Sequence, residues 1–117
     1  MAVDKTPGEK DYDIALQAVA NQMEQEGFEI LGGSSAVDNS YSLVLQRMGK
    51  RMAVKVTTTR APENPFYSPA QVAQLKDFAM RNEIEQCAVA PVGLMSAGIS
   101  PDGEEGFYIK FNELVTV

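Results

Sequence analysis

The chain has 117 residues and a net charge of −6, with 16 acidic against 10 basic side chains, no histidine and one cysteine, Cys87. That is the length of a single domain spanning residues 1–117. Lack of histidine removes the usual zinc sites, the usual general base and the Ser-His triad, so any metal chemistry would rest on a hard cation held by oxygen.

The first predicted element is a helix from Pro7 to about Glu26. Thr6 stands as N-cap, Pro7 takes the first helical position and Glu9 closes a capping box. Tyr12, Leu16, Val19 and Met23 recur at helical spacing, with Ala15, Ala18 and Ala20 beside them. Gly27 suits the residue just past the helix end. Asp11, Asp13, Glu24 and Glu26 are expected on the solvated side.

Phe28-Glu29-Ile30-Leu31 reads as a short strand stopped by Gly32-Gly33, followed by a polar loop over residues 34–40. Gly32-Gly33-Ser34-Ser35 lacks the downstream Gly-Lys-Ser/Thr and the glycine spacing of a phosphate loop. Ser42 to Thr59 then reads as a β-hairpin turning at Gly49-Lys50, with glycine supplying the positive φ of a II′ turn. Centred there, Met48 faces Arg51, Leu45 faces Val54, Leu43 faces Val56 and Ser42 faces Thr57. Strand alternation puts Leu43, Leu45, Met52, Val54 and Val56 on one side, and Ser42, Val44, Gln46, Ala53, Lys55 and Thr57 on the other.

Arg60 to Tyr67 carries two prolines and no periodicity, which is a loop. Ser68-Pro69-Ala70-Gln71 repeats the capping logic and opens a second helix, apolar at Val72, Leu75, Phe78 and Ala79 and ending near Arg81-Asn82. Gln86 to Val92 reads as a buried strand parallel to the third, because a helix intervenes. Gly93 to Gly103 is rich in Gly, Ser and Pro and is expected to be a loop. Gly106 to Phe111 is a last strand, with 112–117 a closing segment. The order α-β-β-β-α-β plus a C-terminal strand predicts an α/β fold, a mixed sheet flanked by helices. No apolar run reaches the roughly 18 residues of a membrane span, no signal-peptide pattern opens the chain and one cysteine suits a reducing compartment, so a cytoplasmic location without membrane contact is expected.

A helix, a Gly-Phe entry into a strand, Leu43-Val44-Leu45, the Gly49-Lys50-Arg51 turn and Ala53-Val54 together resemble the PD-(D/E)XK nuclease superfamily, and within it Mrr-like restriction endonucleases. The resemblance covers roughly Tyr12 to Val92 and implies a restriction-endonuclease-like core. It also implies that the family's metal-binding Asp falls on Ser42, its Glu or Gln on Lys55 and its Lys on Thr57. Such nucleases hold Mg²⁺ with two carboxylates while the lysine orients the attacking water. Neutral hydroxyls coordinate weakly, and Lys55 repels a cation. The implied reading is therefore a pseudo-nuclease with no catalytic residues, no metal ligands and no cofactor. A migrated site using Asp38 and Glu63, with Lys76, is the enzymatic alternative, and only it calls for Mg²⁺ or Mn²⁺.

Charge is unevenly placed. Arg47, Lys50, Arg51, Lys55 and Arg60 are half of the ten basic residues, and no acidic residue lies between Asn39 and Pro62. The leading expectation is a binding module whose basic hairpin contacts a nucleic acid or an acidic partner. Its candidate binding residues are Ser42, Lys50, Arg51, Lys55, Thr57 and Arg60. Ser42, Lys55 and Thr57, joined by Thr59, are also a candidate anion site. Pro65, Phe66 and Tyr67 form a candidate partner-contact surface. Cys87, between apolar neighbours, is expected to be inert. Met23, Met48, Met52 and Met80 suit core or subunit-contact positions. A protein-interaction subunit or inhibitor is the remaining alternative, with self-association through an apolar edge near Val117.

Overall fold

In this computed structural model, which describes residues 7–63 and 66–117, helix α1 spans Pro7–Gln25. Tyr12, Ala15, Val19 and Met23 are buried along one stripe. Gly27 ends the helix at φ +92°, and Phe28 N–H returns to the Met23 carbonyl at 3.0 Å. That left-handed turn is one a side chain would resist. The Thr6 cap and Pro65 lie outside the described residues. Asp11 corrects the solvated-face expectation: only 8% of it is exposed.

Among the described residues, six strands form one mixed sheet: β1 (Glu29–Gly33), β2 (Leu43–Arg47), β3 (Lys50–Arg60), β4 (Gln86–Ile99), β5 (Glu105–Lys110) and β6 (Val115–Thr116). The order is β1-β2-β3-β4-β5, with β6 also paired to β4. β3 and β4 are parallel and every other pair is antiparallel. Helix α2 (Pro69–Arg81) makes the crossover, and its capping box is present, with Ser68 and Gln71 each accepting the other's backbone N–H. Leu43, Leu45, Val54, Val56, Ala90, Val92 and Leu94 pack with α1, while Ala53 and Val89 pack with Leu75 and Ala79 of α2. The mixed sheet flanked by helices is as the element order predicts.

The hairpin turns one residue earlier than expected. Met48 and Gly49 occupy the turn with φ of 55° and 77°, and Arg47 pairs with Lys50. Two positive φ values make this the I′ arrangement, whose twist matches that of the flanking strands. Met48 tolerates it with its side chain 94% exposed, so it is no core residue. The register therefore moves by two: Leu45 faces Met52 and Leu43 faces Val54. An even shift leaves each residue on its expected face.

Two other boundaries differ. Gly32 and Gly33 belong to β1, which carries an irregularity between Ile30 and Gly32. Residues 93–99, expected to be loop, continue β4 because β3 and β5 pair with it on either side. Backbone pairing needs no large side chains, and Gly98, at φ +105°, sits beside the register shift. Met80 is 73% exposed, unlike Met23 at 2%.

Candidate functional site

β2 stops pairing at Leu43 while β3 runs on to Arg60, so the outer half of β3 lacks a strand on that side. Tyr12 from α1 and the loop over residues 34–40 close this opening. Ser42 stands at the fork. Its Oγ accepts the Val56 N–H at 2.9 Å and lies 2.7 Å from the Tyr12 hydroxyl. Tyr12 also reaches the Ser34 carbonyl at 2.9 Å. A carbonyl can only accept, so Tyr12 donates there and the Ser42 proton goes to Tyr12. The result is a directed chain from the Val56 amide through Ser42 and Tyr12 to Ser34. Burial pushes the Tyr12 phenol above its ordinary range, against the Ser42 hydrogen bond.

Lys55 is only 4% exposed. Its Nζ donates to the carbonyls of Val37 (2.9 Å) and Asn39 (2.7 Å), and lies 5.5 Å from the centre of the Tyr12 ring. Burial pulls the ammonium below the usual lysine range, while the charge of Asp38 opposes that shift. The loop itself is cross-braced by Ser34, whose Oγ accepts from the Ala36 amide and the Asn39 side chain. Thr57 Oγ1 donates to the Phe66 carbonyl at 2.9 Å. Thr59 Oγ1 is buried with no hydrogen-bond partner among the described residues. A cavity of about 130 Å³ remains between Tyr12, Lys55, Thr57, Phe66 and Gln71.

The structure thus brings Ser42, Lys55 and Thr57 together around one opening, with Tyr12 at its centre. These groups do not fit Mg²⁺ or Mn²⁺. The Ser42 hydroxyl is already engaged by Val56 and Tyr12, Lys55 is itself a cation, and Thr57 donates to a carbonyl. Of Asp38, Glu63 and Lys76, only Asp38 stands at this opening, in the loop that closes it. Asp38 acts on Lys55, Glu63 lines another cavity with Met95 and Tyr108, and Lys76 acts on Cys87. Among the described residues, no group of three or more His, Cys, Asp or Glu side chains is placed to hold a metal ion.

The three arginines of the hairpin region are also engaged within the chain. Arg47 donates to the Glu26 carbonyl at 3.1 Å and lies 4.1 Å over the Phe28 ring. Arg51 donates to the Glu83 carbonyl, and its amide bonds the Glu85 carboxylate at 3.0 Å. Backbone N–H groups, its own first and then that of Arg51, hold the Glu85 carboxyl below its ordinary range. Arg60 forms a two-pronged ion pair with Asp11, both contacts at 2.8 Å, and a weaker one with Glu105 at 3.3 Å. Its guanidinium lies 4.8 Å from the Phe107 ring centre. Those bonds, Asp11 foremost, raise its pKa above the usual arginine value. Lys50 is exposed at the turn.

A family model described as Domain of unknown function (DUF8840) matches residues 12–117. The chain belongs to that family. No curated protein matches it. The DUF8840 match opens on Tyr12 and takes in Ser42, Lys55, Thr57 and Arg60. Tyr12, Asp11, Ser34 and Asn39 are the members of this centre that sequence reasoning missed. The one available signal was a hydroxyl-bearing side chain in an otherwise aliphatic helical stripe. Cys87 is half-buried on the α2 side, and burial pushes its thiol up, with Lys76 opposing. Phe66 is 62% exposed, whereas Tyr41 and Phe78 stack on one another at 4.1 Å.

Proposed function

We propose that this domain is a non-catalytic interaction module built on a nuclease-like frame, with a protein as its partner. The observation that carries the reading is the Lys55 ammonium, which stands where the resemblance requires an acid or amide and clamps the carbonyls of Val37 and Asn39. A cation so placed repels a second one, and its removal would strand two acceptors. Ser42 and Thr57 serve the fold in the same manner.

Where the cations point favours a protein partner over a phosphate backbone. Electrostatic capture of nucleic acid needs several Lys or Arg groups free to displace counterions. Arg47, Arg51, Lys55 and Arg60 each have acceptors within the chain, although Arg47 and Arg60 stay exposed beside Lys50.

The test is to incubate the purified protein with labelled single- and double-stranded DNA and RNA at low salt, with and without Mn²⁺, reading anisotropy and cleavage together. The expected result is neither cutting nor salt-sensitive binding. Mn²⁺-dependent cleavage lost on Asp38→Ala would overturn the non-catalytic reading. Salt-dependent binding weakened by Lys50→Glu would instead restore nucleic acid as the partner.

A further inference from the structure

β5 is the terminal strand of the sheet, and no described strand covers its outer edge. Glu105, Gly106, Tyr108, Ile109 and Lys110 are exposed and Phe107 is half-buried. Natural proteins usually blunt such an edge, since a regular apolar strand with unpaired amides and carbonyls templates another strand. The opposite edge follows that rule: β1 is five residues long, ends in two glycines and carries an irregularity between Ile30 and Gly32. β5 does not.

The side chains of β5 fall into two rows. Phe107 packs against the α1-side core, and Ile109, on the same face of the strand, lines a groove with Ile14 and Ala18 of α1. Tyr108 and Lys110 face the other way, opposite Met95 and Gly93, and line a cavity of about 250 Å³. Tyr108 is 63% exposed and Ile109 43%.

We infer that β5 pairs antiparallel with β5 of a second copy of this chain, about a two-fold axis through Phe107. A two-fold axis that makes strands antiparallel stands perpendicular to the sheet, so only residues of the same face can meet across it. With Phe107 opposite its own counterpart, Glu104 faces Lys110 of the second copy, and Lys110 faces Glu104. Gly106 faces Tyr108, so each exposed tyrosine lies over a glycine that has no side chain of its own. Sliding by one step in either direction takes Tyr108 off the glycine and sets it against Tyr108 or Glu104, while Lys110 meets Gly106 or the acid Asp102. Only the register through Phe107 combines an acid opposite Lys110 with a glycine opposite Tyr108, and the occupant that fits it is this chain itself. Arg60 already holds Glu105, which leaves the exposed Glu104 as the acid available to Lys110. The inference is independent of the proposed function, because a dimer forms whether or not a further partner binds.

Sedimentation equilibrium across a concentration series tests it. Wild type is expected to be dimeric at about 100 μM, and a protein that stays monomeric there overturns the inference. Lys110→Glu sets like charges opposite each other at both symmetric positions and should raise the dimer Kd by roughly tenfold. The double reversal Glu104→Lys with Lys110→Glu restores the attraction and should return the Kd to near wild type. A double variant as weak as the single one would overturn the pairing. Both variants change exposed side chains only, and circular dichroism confirms that each remains folded.

Discussion

The fork beside Lys55 and the arm formed by β4 and β5 lie in one sheet, yet they treat their side chains in opposite ways. At the fork, residues of chemical promise are buried and bonded inward: Ser42 to Val56 and Tyr12, Lys55 to two loop carbonyls, Thr57 to Phe66. On the arm, Met95, Ile99, Tyr108 and Ile109 are apolar and exposed. The difference teaches that residue type at a position singled out by resemblance says little until the partners of its atoms are known. Groups consumed by the fold hold structure, while unpaired edges and exposed apolar surface are left for other molecules.

The comparison breaks first at Ser42. Ser42→Ala strands the buried Val56 amide and removes the donor to Tyr12, and should lower stability by about 2 kcal/mol in urea unfolding. A loss within about 0.5 kcal/mol would mean that the fork contributes no more than an ordinary surface site. A smaller effect sharpens the Tyr12 side. Its phenol is raised above the ordinary value near 10.0 by burial, so the folded chain keeps a proton that the unfolded chain releases first. That contribution is full below pH 10 and is lost as pH climbs through the raised value. The stability difference between wild type and Tyr12→Phe should therefore shrink over that alkaline window, and a flat difference would contradict it. The smallest effect belongs to the arm. Met95→Thr, measured where the chain is monomeric, should change stability by no more than about 0.5 kcal/mol.

Much of the fold was legible because its signals are local. The Ser68 to Gln71 capping box, the alternation of Leu43 to Val56 and the crossover that makes β4 parallel each need only a few neighbouring residues to be read. Turn placement was less so: Gly49 satisfies the first position of a II′ turn and the second of a I′ turn equally well, and the choice fell on Met48. The full length of β4 was hidden because Gly, Ser and Ala interrupt its apolar residues beyond Val92, and past Leu94 the strand is exposed and held by pairing with β5 rather than by apolar burial. The site was the least legible part. Position alone marked Ser42, Lys55 and Thr57, but Lys55 and Thr57 donate to backbone carbonyls and Ser42 accepts a backbone amide, and such partners have no sequence signature. Arg60 and Asp11 meet across 49 residues, so a cation that looked free in sequence is paired in space.

The most direct test of the central claim is equilibrium urea unfolding of Lys55→Met against wild type. If the ammonium is a structural clamp on Val37 and Asn39, the substitution keeps the bulk of the side chain, removes both charge-assisted bonds and lowers stability by about 2 kcal/mol. Unchanged or increased stability would contradict that account and return Lys55 to the list of groups available for a ligand.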